Sequence, residues 1–413
     1  MIGMRPFLVA AAAMFAVMYS TQAILPELGR EFRVSPSQAG LSISVVIGAL
    51  AAGAWFWGPL SDRIGRRASL VLASGAIVVP TLLVALAPSF GVLLALRVVQ
   101  GLCMPGLITV GVPYVTEAYA PSLGPRAMGY YIAALVAGGL VGRVGVALLT
   151  AATSWRVALG LLTLLPLAST LLMRRGLPPE PAEGRRTTPL SPREAVRVLR
   201  NPMLLAAAVA GSALFFAFLG TFSYIDFRLQ LPPFSLSPTI TGLVYCVWVM
   251  GAAGPAAGRL AGRRGWRAVA LGGLGVAATG VGLSLADVLP LVLVGLALVT
   301  LGNFSGVTAA QLGVAESSAS DRGLASALYF SAYYLAGALG GYLPGLAFEA
   351  WEWPGVVLLA LGAYALGALA VLVVRPAEPV RPEPAGHPAR PRTKPSSTSS
   401  ATATSAGATD SSG

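Results

Sequence analysis

Charged residues are scarce in this chain of 413 residues. Asp, Glu, Lys and Arg make up 11% of it, whereas hydrophobic residues make up 55%. Soluble domains carry about 25% charged residues, so this chain has too few of them to coat a globular surface in water. The composition therefore excludes an ordinary soluble domain and favours a membrane protein.

Residues that bind metals or form disulfides are also scarce, since the chain has two cysteines and one histidine. Cys103 and Cys246 lie in apolar runs without a CxxC pair, and His387 lies in a Pro-rich tail. We therefore expect no disulfide framework, no metal site and no cofactor. Enzyme motifs such as G-K-[ST], H-E-x-x-H and G-x-S-x-G are missing as well, so the sequence does not indicate an enzyme.

Long apolar runs are what the chain has in abundance. A helix that spans the hydrocarbon core needs about 20 mainly apolar residues. The first run ends in Leu25-Pro26-Glu27 without a small-residue cleavage site, so we interpret it as a spanning helix and not as a signal peptide. The fold class predicted is an all-α membrane protein with twelve transmembrane helices. They are expected at 6–26, 38–57, 68–87, 91–114, 127–150 and 156–173, and then at 203–225, 238–257, 268–286, 290–313, 324–347 and 354–374.

The arginines predict the orientation of these helices. If the N-terminus is cytoplasmic, the outer loops hold only Arg30, Arg33, Arg156 and Arg228, and most of the 28 Lys and Arg residues fall in cytoplasmic segments. Positively charged loops stay in the cytoplasm, so we expect both termini there and the protein in the cytoplasmic (inner) membrane. Basic residues fall between apolar runs and not in one patch, so the net charge of +12 does not indicate a nucleic-acid partner.

Composition divides the chain into four segments. Residues 1–173 and 203–375 each hold six apolar runs and are expected to form two six-helix bundles. Between them, 174–202 is expected to be a cytoplasmic linker, in which 192–200 forms either a short amphipathic surface helix or part of a solvated loop. Residues 376–413 are rich in Pro, Ser, Thr and Ala, so we expect a disordered cytoplasmic tail.

The two halves repeat each other. Gly58-Pro59-Leu60-Ser61-Asp62-Arg63 is echoed by Gly254-Pro255-Ala256-Ala257-Gly258-Arg259, and Gly65-Arg66-Arg67 is echoed by Gly262-Arg263-Arg264. The second copy has Gly258 where the first has Asp62. The pattern indicates a six-helix unit duplicated in parallel, which is a known architecture of membrane transporters.

The first of these copies lies in the segment Gly58–Arg67 between two apolar runs. Its acid and three arginines cannot lie in hydrocarbon, so the segment must lie at a membrane face. We expect Gly58-Pro59 to end the preceding helix and Gly65 to allow a tight reversal. The order G-P-x-S-D-R-x-G-R-R resembles the loop 2–3 signature of the major facilitator superfamily.

This resemblance implies a transporter that binds its substrate between the two halves. It also implies that Asp62 faces the N-terminal end of the eleventh helix, near Gly323, and locks the cytoplasmic side. The alternative for Asp62 is a loop acid that offsets nearby arginines. The gating motif implied consists of Gly58, Asp62, Arg63, Gly65, Arg66 and Arg67, together with Glu117 and Arg126.

Two arginines lie inside apolar runs, where an ionisable residue marks a functional site by default. Arg97 lies in R-x-x-Q-G, which resembles the family's helix-4 motif tied to proton coupling; the alternative is that it snorkels to the outer interface. Arg143 lies in G-G-x-x-G-R, which resembles the sugar or drug efflux permease subgroup. Antiporters of the family often carry G-x-x-x-G-P-x-x-G-G here, and this chain lacks that proline.

Arg97 and Arg143 would repel each other unless something negative lies between them. We therefore expect at least one of them to pair with Glu27 or Asp226, or with an anionic group of the substrate. Either acid is a candidate for the proton carrier, because a partly buried carboxyl can gain and lose a proton as access alternates. The alternative is that both are ordinary interfacial acids.

Polar groups within the apolar runs are candidates for the substrate cavity. Some of the aromatic ones could instead be interface anchors. The function expected is proton-coupled efflux of small organic solutes, drug-like or sugar-like, by a monomer in the lipid bilayer. The alternatives are proton- or anion-coupled uptake of an organic anion, and a non-transporting membrane sensor. The cavity candidates are Tyr19, Gln22, Tyr224, Asn303, Gln311 and Tyr333.

Overall fold

A computed structural model of the chain describes residues 4–111, 114–115, 125–177, 197–198, 200–317 and 322–374. Residues 4–374 belong to one compact unit. The predicted tail, most of the predicted linker, Glu117 and the side chain of Arg126 lie outside the described residues. The domain boundaries and the disorder expected for the tail therefore stay predictions.

Eleven stretches of the described residues are helical, long enough and apolar enough to span a membrane. The last, Gly323–Val373, has non-helical backbone at Trp351 and Glu352, so it is two helices, α11 (323–350) and α12 (353–373). The twelve predicted helices are thus confirmed. The others are α1 (Arg5–Phe32), α2 (Pro36–Ile64), α3 (Arg66–Ala85), α4 (Phe90–Ile108), α5 (Gly129–Ala152), α6 (Trp155–Gly176), α7 (Pro202–Gln230), α8 (Pro238–Arg264), α9 (Trp266–Leu283) and α10 (Leu289–Ser317).

Polar side chains define where these helices start. At α2, the Ser35 hydroxyl accepts from the backbone N–H of Gln38, and the Gln38 side chain accepts from the backbone N–H of Ser35. At α7, the Asn201 side chain accepts from the N–H groups of Met203 and Leu204. Both arrangements satisfy backbone donors that the first helical turn leaves unpaired.

The prediction that Gly58-Pro59 ends α2 is wrong. The helix continues through Pro59 to Ile64, so Asp62 lies in its last turn. A proline removes one intrahelical hydrogen bond, and the ladder resumes after it, as the 2.9 Å bond from the Gly65 N–H to the Ser61 carbonyl shows. The reversal predicted at Gly65 is confirmed, because its φ of +88° leaves helical geometry and joins α2 to α3.

The bundle has two ends. We call the end where α1 meets α2 and α7 meets α8 the α1–α2 face, and the end where Gly65 joins α2 to α3 the α2–α3 face. Near the α1–α2 face, Gly40 of α2 and Gly341 of α11 are in direct backbone contact, with no room for a side chain at either position. Glu349 of α11 also accepts from the backbone N–H of Ser37 at 2.7 Å. The halves are therefore closed together at this face.

Candidate functional site

Within the described residues, three of the spanning helices contain a 3-10 or π-helical segment, and these segments contact one another. In α1, the first helical segment ends at Tyr19, and a 3-10 turn at Gln22–Ile24 precedes the second segment. In α5, Val141–Gly145 is a π-helical turn, and in α8, Tyr245–Ala253 is 3-10 helix. Single π-helical turns are rare and occur often at functional sites. Such backbone is tolerated at membrane depth only where protein buries it or where it lines a cavity.

Arg143 lies in the π-helical turn and is fully buried. Its Nε donates to Gln22 Oε1 at 2.7 Å, and its Nη1 donates to the Gly139 carbonyl at 2.9 Å. The guanidinium carbon lies 3.8 Å from the ring centre of Tyr19 and 3.5 Å from that of Trp248. Aromatic rings attract a cation placed this close, most strongly where water is excluded. Nη2 of Arg143 has no hydrogen-bond partner in the part of the chain that the structure describes.

Gln22 joins the two halves of the chain. Its side-chain oxygen accepts from Arg143, and its Nε2 donates to Ser223 Oγ of α7 at 2.9 Å. Pro26 follows four residues later and lacks an N–H, so the Gln22 carbonyl has no helical partner there. That carbonyl lies 3.4 Å from the hydroxyl of Tyr245. Gln22 therefore has partners on α5, α7 and α8.

Asp226 of α7 is fully buried within the protein. Its Oδ2 accepts from the Tyr245 hydroxyl at 2.8 Å, whereas its Oδ1 has no partner among the described residues. The Tyr245 ring lies 5.7 Å from the guanidinium carbon of Arg143. Within the part of the chain that the structure describes, Arg143 and Asp226 form no direct ion pair. Tyr245 connects them, because its hydroxyl donates to Asp226 and its ring lies near Arg143.

Glu27 lies nearer the α1–α2 face. Its Oε1 pairs with Arg30 at 2.9 Å, and its side chain is 13% exposed. Arg30 in turn donates to Gln230 Oε1 at 3.3 Å. The pairing of Glu27 with Arg97 or Arg143 that the sequence suggested is therefore not found among the described contacts. Arg30 is three residues away on the same helix, which is close enough to take the carboxylate first.

Arg97 is also fully buried, and it donates to three backbone carbonyls and, from Nη1 at 2.9 Å, to the side-chain oxygen of Gln100. Its Nε donates to Ser42 at 2.8 Å, its Nη1 to Val17 at 2.9 Å and its Nη2 to Met18 at 2.6 Å. The break after Tyr19 leaves carbonyls at the end of the first segment of α1 without helical partners. A cation is favourable at such a helix end, so Arg97 braces the break in α1 and does not reach a carboxylate or the interface.

Of the remaining residues predicted to line the cavity, some lie near Arg143 and others do not. Tyr19 packs against Trp248 at the site, with ring centres 5.6 Å apart. Asn303 is buried, and its Oδ1 has no partner. Tyr224 donates to the Gly341 carbonyl at 2.6 Å and so belongs to the contact of α7 with α11. The structure does not bring the other two to Arg143: Tyr333 stacks on Phe215 at 4.2 Å, and Gln311 is exposed.

The gating motif lies at the α2–α3 face, on the last turn of α2 and the first of α3. Arg67 Nη2 donates to the Arg174 carbonyl at 3.1 Å. That carbonyl belongs to the last turn of α6, where backbone acceptors lack helical partners. One arginine of the motif therefore ties α3 to the end of α6.

Sequence reasoning missed Ser223 and Trp248. Ser223 precedes Asp226 by three residues on a helix, so the two share a face, and this spacing was a usable signal. Trp248 follows Tyr245 by three residues, and such residues eclipse each other in a 3-10 helix. An apolar run does not show that it will be 3-10, so the sequence contains no signal for Trp248.

The sequence and the fold of this chain are both similar to those of known proteins. A family model described as the Major Facilitator Superfamily matches residues 7–319 and 233–405. The inner membrane transport protein YnfM of Escherichia coli is 33% identical over 354 residues, which are 84% of each chain. The multidrug resistance protein MdtM of Salmonella typhimurium is 30% identical over 203 residues, 47% of this chain and 48% of that protein. The crystal structure of a mutant nucleoside transporter, NupG, shares the fold with a TM-score of 0.74 at 12% identity, covering 90% of this chain and 99% of that one.

Proposed function

Because the chain belongs to the major facilitator superfamily and is a multi-pass membrane transporter, we propose that it exports small organic solutes in exchange for protons. One observation carries the proposal. Asp226 is a fully buried carboxyl at the junction of the two halves, and one of its oxygens has no partner. A buried carboxylate is costly unless it is paired or takes up a proton, so Asp226 is suited to exchange a proton as access alternates.

The surroundings of Asp226 link its charge to the contact between the halves. Tyr245 donates to it from α8 in the same half, while Arg143 acts on it electrostatically from α5 in the other half. Ionised Asp226 is attracted to Arg143 and draws the halves together; a proton on Asp226 removes that attraction. A change that affects one state more than the other shifts the population between states.

The orientation proposed puts the α2–α3 face in the cytoplasm, in line with the arginine-rich segments there. The closed α1–α2 face is then the outer one, so in this structure the path for a cargo from outside is closed. In the outward-facing state, Asp62 and its neighbours in the gating motif would close the cytoplasmic side. Export as the direction is supported by the partial likeness to a multidrug resistance protein.

Uptake of an organic anion is the second candidate, and one observation favours it. Nη2 of Arg143 is buried and has no partner. Unsatisfied donors of a buried guanidinium are costly, and a carboxylate of the cargo would satisfy this one. The sign of coupling separates the candidates, because a proton entering with an anion moves in the direction of the cargo, whereas in export it moves against it.

The first step of the test is to find a cargo. A thermal-shift screen of the purified protein against drugs, sugars and amino acids identifies solutes that raise its melting temperature, since ligands that bind the folded state stabilise it. The strongest of these solutes then serves as the probe for flux in reconstituted vesicles.

The second step concerns Asp226. In Asp226→Asn we expect solute flux driven by a pH gradient to fall at least tenfold, while exchange of labelled for unlabelled solute continues, because an amide cannot carry the proton. The matched control is Asp287→Asn, whose carboxylate is exposed and pairs with Arg228; it should behave as wild type. Full gradient-driven flux in Asp226→Asn would exclude Asp226 as the carrier.

A further inference from the structure

We propose that Glu27 is the residue through which Asp226 receives its proton from the α1–α2 face. This inference rests on the proposed function, because it assigns a route to the proton that Asp226 would carry. It follows from a groove at that face, from the partners of Glu27 and from the stripe of polar side chains beneath it on α7.

A groove of about 530 Å³ opens at the α1–α2 face. Residues of both halves line it, among them Pro26 and Arg30 from α1 and Phe227 and Gln230 from α7. A water molecule takes up about 30 Å³ in the liquid, so the groove has room for several. Water of the outer solution thus reaches the residues that flank Glu27 on its own helix, even though the halves are closed to a larger solute.

Glu27 lies next to Pro26, which lines this groove, and is suited to exchange a proton there. Its Oε1 is held by Arg30, and its Oε2 is buried without a hydrogen-bond partner among the described residues. Arg30 is 63% exposed, so the pair stands between water and the interior. Because Arg30 is mostly exposed, water screens its charge and weakens its hold on the Glu27 carboxylate.

A stripe on α7 continues inward from the groove. Gln230, Asp226 and Ser223 are spaced by four and three residues and so lie on one face of the helix. At a rise of 1.5 Å per residue, Asp226 lies about 6 Å deeper than Gln230. We call these three residues, with Glu27 and Gln22 opposite them on α1, the polar ladder. It runs from the groove to the contact between Gln22 and Ser223.

The charged and titratable groups along the polar ladder act on one another. Asp226 interacts electrostatically with Glu27 and Arg143 and accepts a hydrogen bond from Tyr245. Tyr245 in turn interacts electrostatically with both acids. The outer acid has Arg30 beside it, and the inner acid has Tyr245 and Arg143. The two acids therefore interact electrostatically with each other.

The transfer involves one proton and no other change. A hydronium ion in the groove gives its proton to Oε2 of Glu27, which becomes a neutral carboxyl. Glu27 then releases a proton, through water, to Oδ1 of Asp226 and returns to a carboxylate that Arg30 neutralises. The net result is one proton moved from the outer solution to Asp226.

Infrared spectroscopy tests this route without a known cargo. The protein is reconstituted with its α1–α2 face outward, the outer solution is made abruptly acidic, and the carboxyl C=O band that is missing in Asp226→Asn is followed in time. In Glu27→Gln we expect this band to reach its full height but to rise at least about tenfold more slowly, in keeping with the contribution of a positioned acid–base group. Added formate, a small weak acid, should restore the rate.

The control is Glu31→Gln, because Glu31 lies four residues further along α1, is 45% exposed and pairs with Arg156. It should leave the rate of the Asp226 band unchanged. An unchanged rate in Glu27→Gln overturns the route but leaves Asp226 as carrier. If Asp226→Asn removes no band at all, the proposed function fails as well, so the two failures are distinguishable.

Discussion

Two buried arginines that look alike in the sequence have different surroundings in the structure. Arg143 has aromatic neighbours, an amide and an unpartnered nitrogen, and it lies beside Tyr245 and Asp226. Arg97 donates to the carbonyls of Val17, Met18 and Ser42 and to the side-chain oxygen of Gln100. Arg143 therefore has a donor left for a further partner, whereas every nitrogen of the Arg97 guanidinium has an acceptor.

We therefore expect Arg97→Ala to act on stability. The variant leaves the Met18 carbonyl and the Gln100 side-chain oxygen without the donor that Arg97 supplies. Each buried acceptor left unsatisfied costs about 1–3 kcal/mol, so the variant should melt clearly lower than wild type in detergent. Arg156→Ala is the control, because Arg156 also donates to carbonyls but is 37% exposed, and its effect should be small. A stable Arg97→Ala variant that has lost proton coupling would return Arg97 to the coupling machinery.

At the scale of residues, the sequence predicts which polar side chains are costly to bury, but not which groups they bind. Gln22, Arg143 and Asp226 stand out because polar groups in apolar runs need partners. Three partners of Arg97 are backbone carbonyls, which no side chain in the sequence indicates. The fourth, Gln100, follows Arg97 by three residues in R-x-x-Q-G, and that spacing was a usable signal. The role of Trp248 depends on a 3-10 segment, which has the same composition as an α-helical one.

At the scale of helices, α2 and α11 run so that the end of one lies near the start of the other at each face. The family resemblance puts Asp62, at the end of α2, opposite the start of α11. At the other face, Glu349 of α11 accepts from the N–H of Ser37 in the first turn of α2. A carboxylate at a helix N-terminus is favourable because of the helix dipole, so Glu349 stabilises the closed α1–α2 face.

Glu349→Gln tests this contact, since an amide oxygen still accepts the hydrogen bond but carries no charge. The loss of about 0.3–1 kcal/mol should raise the ratio of the open to the closed α1–α2 face about two- to fivefold. Spin labels at Thr153 and Val288, one in each half, report this ratio as a distance distribution in a background without Cys103 and Cys246. Glu352→Gln is the matched control, and an equal shift in both variants would contradict a specific role for Glu349.

Hydropathy predicts the helices of this chain well because the thickness of the bilayer sets their length. It fails where geometry changes without a change in composition. The π-helical turn Val141–Gly145, the 3-10 segment Tyr245–Ala253 and the continuation of α2 beyond Pro59 are of this kind. Packing against neighbouring helices decides these local geometries, and a window of average hydropathy does not contain that information.

At the scale of the whole molecule, the orientation is open to direct test. In a variant without the native cysteines, Ser191→Cys and Ser396→Cys should resist an impermeant thiol reagent in intact cells and react once the cells are opened. Thr153→Cys, exposed at the α1–α2 face, should react in intact cells and serves as the control. Labelling of Ser191→Cys or Ser396→Cys in intact cells would reverse the orientation, and the outer and inner faces assigned above would exchange.

The sequence contains the two-fold repeat but not the state in which the halves meet. The repeat is visible because the same glycines and arginines recur in both halves. The closed α1–α2 face depends on contacts such as Gly40 with Gly341 and Gln22 with Ser223. Alternating access requires that a transporter break such contacts in its other state, so one sequence must encode both arrangements.

If Asp226 carries the proton as proposed, each protonation changes the charge buried in the bundle by one unit. With Asp226 ionised, its charge offsets that of Arg143; with a proton on Asp226, Arg143 joins Arg97 as a buried cation without a carboxylate beside it. A potential of 100 mV does about 2.3 kcal/mol of work on an elementary charge that crosses the whole membrane. Under this proposal, membrane voltage acts on the protonated site in addition to the pH gradient.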